Sequence, residues 1–332
     1  MSQKLTLLHS NDLHGDFLFD NDRKTGGLAR LSGFIRKVRE SEDNVAYMIA
    51  GDLFSGSVID SEYQGLSTID LVNLLNPDVA TVGNHEVDYG IAHLLFLEKC
   101  ARFPITNANL FITMNNTHLF TPYVKLHING IEILVIGILT DEVLAKTKKE
   151  KIIGSFIDID EAVRQIGILC DNYRTANTDI TVLLTHIGIE KDRELAAKLN
   201  KEWGIDFIIG AHTHTIMDKP EIINDIPIVQ AGWGTDQIGR FDIVIEDKKP
   251  VSYTWQCVPI DEKTSPADPA MEQLVQSYRN ETYRKYKRIV TRFERTLTHP
   301  ARNQETELGN LYADVLKEDS SFAIMLFGSG TL

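Results

Sequence analysis

The chain has 332 residues, with 47 carboxylates against 34 Lys and Arg and a formal net charge of −13. That length buries an ample core, and an apolar fraction of 43% marks an ordinary globular chain, one large α/β domain with room for a smaller second unit. The acidic balance disfavours a nucleic-acid polymer as partner, since phosphate neutralisation takes clustered Lys and Arg; a small phosphorylated substrate stays admissible because bound cations reverse the local sign of charge. Leu5 to His9 reads as a first strand running into Ser10-Asn11-Asp12-Leu13-His14-Gly15. From Gly26, the residues Leu28, Leu31, Ile35 and Val38 recur at helical spacing. Val45 to Ala50 is a second strand leading into Gly51-Asp52, and a helix around Ile69 to Leu75 stops ahead of Pro77. Val79 to Val82 is a third strand, followed by Gly83-Asn84-His85-Glu86-Val87-Asp88-Tyr89-Gly90 and a helix over Ile91 to Cys100. Strand alternating with helix is the pattern of parallel βαβ units.

The middle of the chain changes character. Tyr123 to Ile128 and Ile131 to Leu139 flank Asn129-Gly130, the turn chemistry of a type I′ hairpin. A helix is predicted over Asp160 to Tyr173, a strand over Asp179 to Thr185 ending at His186, and a helix over Glu190 to Trp203. Strand Ile205 to Ile209 ends in Gly210-Ala211-His212-Thr213-His214. Ile226 to Val229 and the alternating Phe241 to Ile245 are expected to close a second, more antiparallel set of strands, giving two sheets packed face to face with helices outside. Asp268 to Arg292 reads as a long helix with Met271, Leu274, Tyr278 and Tyr286 as its apolar stripe, and Val290 to Leu297 as a further strand. Three well-separated cysteines favour free thiols in a reducing compartment. With no leader and no membrane-length apolar segment, the expected location is cytoplasmic, with no membrane partner.

Five apolar strands therefore end in donors: Asp12 with His14, Asp52, Asn84, His186, and His212 with His214. In an open α/β sheet, sites form beyond the carboxyl ends of strands, so these ends can converge. Where extended geometry persists, residues two apart share a face, which makes Asp12/His14 and His212/His214 natural chelating pairs. The same alternation separates Asn84, read as a ligand, from His85, read as facing substrate, with Asp88 one helical turn on to orient its imidazole. The blander reading of that stretch is a surface loop with a chance histidine and a helix N-cap. Asp52 can bridge two cations through its two oxygens. Seven N and O donors without thiolate suit two divalent ions of the Mn, Zn, Fe or Co class, and so much imidazole argues against Ca. His9 lies inside an apolar run and reads as a satisfied core histidine or one that supports the ligands from behind, while His93, His118, His127 and His299 read as structural or solvated.

In that order, Asp12-Leu13-His14, Gly51-Asp52, Gly83-Asn84-His85-Glu86, His186 and Gly210-Ala211-His212-Thr213-His214 resemble the blocks of the calcineurin-like metallophosphoesterases. The fuller strings Leu7 to Gly15 and Gly83 to Gly90, with the tail Glu305 to Asp314, resemble one branch, the 5′-nucleotidases. The resemblance implies a four-layer α/β sandwich of two mixed β-sheets flanked by helices over 1–262, a linker helix over 263–292, and an incomplete C-terminal domain over 293–332. It implies that Asp12, His14, Asp52 and His214 hold one metal and Asp52, Asn84, His186 and His212 the other, with His85 and Asp88 as the catalytic dyad. Asp88 near the imidazole favours its protonated form. The implied reaction is hydrolysis of nucleotide phosphomonoesters to nucleoside and phosphate by attack of a metal-bound hydroxide. Alternatives are a 2′,3′-cyclic-nucleotide 2′-phosphodiesterase with 3′-nucleotidase activity, or a non-catalytic metal-stabilised module. The chain departs from the branch at Val87, where an aromatic is usual. It also departs at its Gly328-Ser329-Gly330-Thr331-Leu332 end, which resembles the loop before a substrate-binding arginine without the arginine. Substrate-binding residues are accordingly expected mainly beyond that end.

Overall fold

A computed structural model describes residues 2–112, 114–140, 153–155, 159–289, 291–300, 304–320 and 324. In chain order it begins β1 (Gln3–Ser10), α1 (Leu28–Ser41), β2 (Val45–Ile49), α2 (Val58–Tyr63), α3 (Leu66–Leu75), β3 (Val79–Thr81), α4 (Ile91–Cys100) and β4 (Ile105–Thr106). It continues β5 (Leu110–Ile112), β6 (Thr117–His118), β7 (Tyr123–Ile128), β8 (Ile131–Leu139), β9 (Ile153–Ser155), α5 (Ile159–Tyr173), β10 (Ile180–His186), α6 (Ile189–Lys198) and β11 (Phe207–Ile209). It closes with β12 (Glu221–Ile223), β13 (Ile226–Val229), β14 (Gln237–Glu246), β15 (Lys249–Pro259), α7 (Pro269–Tyr286) and α8 (Glu307–Asp319).

One six-stranded sheet has the order β15-β14-β1-β2-β3-β4 and the other β12-β13-β11-β10-β8-β7. In the first, β1 to β4 pair in parallel and β14 and β15 add antiparallel strands. In the second, β8, β10, β11 and β13 pair in parallel, with β7 and β12 antiparallel at the edges. The expectation of a second, more antiparallel set is therefore corrected. Phe241 to Ile245 belongs to β14, which pairs with β1, and Ile226 to Val229 lies parallel to β11. Alternation reveals a half-buried strand but not its partner.

Strand alternation sorts the side chains into layers. Leu5, Leu7, Ala46 and Met48 of the first sheet meet Ile133, Val135, Val182, Leu184 and Phe207 of the second in one apolar layer. Leu8, Tyr47 and Ile49 turn the other way and pack with Leu31, Ile35, Val72 and Leu94 of the flanking helices. Leu134, Ile136, Leu183 and Ile208 do the same against Ile166, Leu169 and Leu195 of α5 and α6. The result is a helix–sheet–sheet–helix sandwich. At Gly137 a Cβ would overlap Thr81 Oγ1 and the Thr106 carbonyl, so glycine lets β8 lie against β3 and β4.

Several local expectations hold. Asn129 and Gly130 both take positive φ (46° and 90°), as a type I′ turn requires. α3 ends at Leu75 with Asn76 left-handed, ahead of Pro77. The helix expected over Glu190 to Trp203 instead divides. α6 stops at Lys198, and the Asn200 side chain accepts from Glu202 N to cap a separate 3₁₀ turn, Lys201–Trp203.

The chain forms two compact units, one reaching Thr282 and one starting at Tyr283. In the first, α7 buries Met271 and Val275, with Leu274 and Tyr278 packed beside them. The expected stripe is cut short, because the helix ends at Tyr286 and that side chain is exposed. In the second, Thr306 caps α8 by accepting from Gly309 N. The strand expected over 290–297 is absent among described residues 291–300, and a strand needs a ladder partner that the described residues of this unit do not supply. Gly328 to Leu332 lies outside the described residues. No helix among the described residues is long and apolar enough to cross a membrane.

Candidate metal centre

All the donors named from the sequence come together past the carboxyl ends of five strands. Asp12 and His14 follow β1, Asp52 follows β2, Asn84 and His85 follow β3, His186 ends β10, and His212 and His214 follow β11. Asp12, His14 and His214 each place one candidate ligand atom within 4.8 Å of the others, and so do Asp52, His186 and His212. A third such group, His14 with Asp52 and His85, puts Asp52 next to both of the first two. Asn84 Oδ1 lies 3.1 Å from His186 Nε2, completing the set.

The route by which they converge differs from the alternation argument. Asp12, His14, Asp52, His212 and His214 have φ of 52°, 47°, 51°, 80° and 54°, so none sits on extended backbone. His212 and His214 do not chelate as a pair; they fall into different groups, His212 with Asp52 and His186, His214 with Asp12 and His14. A left-handed residue with a Cβ costs on the order of 1–3 kcal/mol, and here hydrogen bonds hold the kinks. Asp12 N donates to Gly51 O (3.0 Å), His14 N to Asp52 O (2.9 Å), and His212 N to Asp12 Oδ1 (3.0 Å). Asn84 likewise is helical (φ −78°, ψ −18°) and opens a 3₁₀ turn over His85–Val87. Successive residues of such a turn diverge by about 120°, while residues three apart eclipse. That geometry, rather than a pleat, separates Asn84 from His85 and stacks Asp88 under His85, with Nδ1 to Oδ2 at 2.5 Å.

The donor chemistry fits cations. His186 Nδ1 donates to Ala50 O (2.9 Å), which directs Nε2, a lone pair once a cation displaces its proton, to within 3.1 Å of Asp52 Oδ2 and 3.1 Å of Asn84 Oδ1. His14 Nδ1 donates to Phe54 O (3.2 Å), and its Nε2 faces His214 Nε2 at 3.1 Å. His214 Nε2 is also 3.5 Å from Asp12 Oδ1. Acceptor atoms aimed at one another need positive charge between them. Burial opposes charge on His186, yet Asp52 and then Asp12 push its imidazole up to about 10. Burial would raise the Asp52 carboxyl, but His186, His14 and His85 hold it below the usual range. Burial outweighs the carboxylates at His14 and lowers it.

Supporting residues went unassigned in the sequence. Buried Glu86 accepts from Leu53 N (2.6 Å), Asp52 N (3.1 Å) and Gly83 N (2.5 Å), clamping the loops after β2 and β3 together. Burial, then the Asp52 charge, pushes its carboxyl up to about 7. Gly51 permits the approach, since a Cβ there would stand 2.7 Å from Gly83 N and 2.8 Å from His186 Nδ1. Asn11 Nδ2 donates to Asp12 Oδ2 (2.7 Å) and Gly232 O (2.5 Å). Behind His212, buried Asp192 accepts from Thr185 Oγ1 (2.6 Å) and Gln230 Nε2 (3.3 Å), and Gln230 Oε1 accepts from Thr213 Oγ1 (3.1 Å) and Thr215 N (3.2 Å). The motif string contained Glu86 and Asn11, but nothing local marked their backbone roles.

The remaining histidines lie outside these groups. His9 is buried and its imidazole is lowered to about 3 by burial; Nε2 accepts from Trp255 Nε1 (3.1 Å). It is only half satisfied, as Nδ1 has no partner among the described residues. His93 bonds Gln64 O, His299 bonds Thr306 Oγ1, His118 packs on Phe111, and His127 is exposed.

Comparison with known proteins agrees with this geometry. The calcineurin-like phosphoesterase family model matches residues 5–215. The trifunctional nucleotide phosphoesterase YfkN of Bacillus subtilis is 29% identical over 93% of this chain and 23% of its own length. Snake venom 5′-nucleotidase of Naja atra is 27% identical over 95% of this chain and 65% of its own length, so the chain spans less than two thirds of either relative. Among solved structures, a 5′-nucleotidase precursor from Thermus thermophilus superposes with TM-score 0.81 at 23% identity, covering 96% of this chain and 67% of that one. The structure of the calcineurin-like phosphoesterase YfkN from Bacillus subtilis gives 0.75 at 23% identity over 87% of this chain and all of that one. The sequence blocks, the paired sheets and the converging donors thus have one common explanation: the chain belongs to the calcineurin-like phosphoesterase family.

Proposed function

We propose that the chain hydrolyses nucleotide phosphomonoesters to nucleoside and phosphate, using two divalent cations of the Mn, Zn, Fe or Co class. The observation that carries this reading is the position of Asp52, which shares one group with His14 and another with His186 and His212. Asp12, His14, Asp52 and His214 would hold one cation, and Asp52, Asn84, His186 and His212 the other. Bound there, divalent cations supply Lewis acidity toward phosphoryl oxygens and water. The outer nitrogens of His14 and His186, tied to the Phe54 and Ala50 carbonyls, fix each ring's tautomer and aim. Asp88 holds a proton on His85 Nδ1 and is itself oriented by Ser55 Oγ at 2.6 Å. With Nδ1 so occupied, Nε2 is the atom that stabilises charge on a phosphoryl oxygen or passes a proton to the leaving oxygen.

The names of the relatives support a nucleotide substrate, and the second reading is a cyclic-nucleotide phosphodiesterase with 3′-nucleotidase activity, which would use the same donors. Metal analysis joined to a phosphate-release screen of nucleoside 5′-monophosphates, 3′-monophosphates and 2′,3′-cyclic nucleotides tests the assignment. Metal-dependent release from 5′-monophosphates is expected. Preference for cyclic and 3′ substrates selects the second reading, and a metal-loaded chain that cleaves none of them defeats both.

A further inference from the structure

The segment joining β13 to β14 is fastened to the metal-site loops. Ala231 N donates to Asn11 Oδ1 (2.9 Å), Gly232 N to Thr215 O (3.0 Å), and Gly234 N to the carbonyl of Asp12 (2.8 Å). Gln237 Nε2 donates to the carbonyls of Ala231 (2.7 Å) and Trp233 (3.0 Å). Gly232 and Gly234 flank Trp233 with φ of 75° and 67°, conformations that side chains with a Cβ rarely take. On this fixed backbone the Trp233 indole is 48% exposed. It lies nearly parallel to the His214 imidazole, at 25° with ring centroids 6.2 Å apart. Ile216, 63% exposed, adjoins it: Ile216 bridges to Ala231, and a Cβ on Gly232 would stand 2.7 Å from Ile216 Cγ1.

Scattered exposed apolar side chains are ordinary and carry no message. This pair differs because it borders the cluster of carboxylates and imidazoles, with the indole alongside one of the candidate ligands. On the proposed reading, the candidate ligands with their cations and His85 would address the phosphoryl group, and none of them addresses the other half of the ester. A flat indole at the rim suits that half, since aromatic faces stack on bases without needing a particular hydrogen-bond pattern.

We infer that Trp233, with Ile216 beside it, is the platform for the leaving group, so that this unit favours phosphoesters whose leaving group carries a flat aromatic face. The inference rests on the phosphohydrolase reading, and its test separates the two. In the metal-loaded chain, kcat and KM are measured for phenyl phosphate, 1-naphthyl phosphate and adenosine monophosphate against glycerol phosphate, for the wild type, Trp233→Ala and Trp233→Phe. The platform predicts that the aromatic-over-alkyl preference falls roughly tenfold in Trp233→Ala, through KM, and that Phe restores most of it. Adenosine should also quench indole fluorescence saturably in the wild type, ribose should not, and the quench should vanish in Trp233→Ala. An unchanged preference, with aromatic and alkyl esters losing equally, makes Trp233 a prop for His214 and overturns the platform. If no ester is cleaved, the phosphohydrolase reading fails, and the adenosine quench alone decides whether the platform exists.

Discussion

The Nε2 atoms of His14 and His214 face each other across 3.1 Å, although 200 residues separate them in the chain. Both imidazoles also border Asp12, so a cation placed among them satisfies three donors at once. His186 and His212 group with Asp52 instead, and Asn84 Oδ1 lies beside His186 Nε2. His214→Ala should therefore lower occupancy at one position and spare the other, leaving about one ion per chain by elemental analysis. Loss of all metal from this single change would show that the two positions do not fill separately.

In the proposed reaction His85 acts on the substrate. His85→Ala should cost about 10²–10⁴-fold in turnover, the scale of a positioned acid–base group, while metal content barely changes. Asp88→Asn should cost less, because the imidazole remains and only its orientation and proton are disturbed. Steady-state kinetics with metal analysis checks both. A His85→Ala chain that sheds metal while keeping its rate per bound ion would make His85 a ligand instead.

Buried Glu86 accepts from three backbone N–H groups, those of Asp52, Leu53 and Gly83. Each buried donor left unpaired costs about 1–3 kcal/mol, so Glu86→Ala should destabilise the metal-free chain by at least about 2 kcal/mol. Weaker metal retention should follow, because the Asp52 and Asn84 loops lose their clamp. Urea denaturation measures the first effect, and a midpoint equal to the wild type's would remove Glu86 from the account.

Burial pushes the Asp192 carboxyl up to about 7, against about 4 in an unfolded chain. Between those values the folded state binds a proton that the unfolded state does not. The stability this group contributes is therefore fully present below about pH 4 and lost as pH rises through about 7. Asp192→Asn, which keeps partners for Thr185 and Gln230, should remove that loss. Denaturation at about pH 5 and pH 8 should show a drop in the wild type that shrinks in the variant; equal drops would mean that Asp192 is ionised throughout.

Much of this was legible because the relevant residues interrupt apolar runs. Asp12, Asp52, Asn84, His186 and His212 each follow a segment too hydrophobic to be surface, which marks them before any coordinates exist. The way they meet was not legible. Left-handed backbone at Asp12, His14, Asp52, His212 and His214 obeys no periodicity, so alternation paired His212 with His214 wrongly and explained Asn84 and His85 by the wrong geometry. Strand partners were equally hidden: β14 alternates clearly, but only packing of Phe241 and Ile243 between the sheets places it beside β1. β15 carries its own signal, the alternation of Val251, Tyr253, Trp255 and Cys257 along Lys249–Pro259. Glu86, Asn11 and Asp192 act on backbone or on other polar groups far along the chain, and a linear pattern holds no trace of that.

The most direct measurement is a titration of Mn²⁺ or Zn²⁺ into the metal-free chain, with bound equivalents counted for the wild type and for Asp52→Asn. Two bound ions in the wild type, and impaired binding of both in the variant, are what a shared Asp52 carboxylate requires. A single equivalent in the wild type, or two undiminished equivalents in Asp52→Asn, would contradict it.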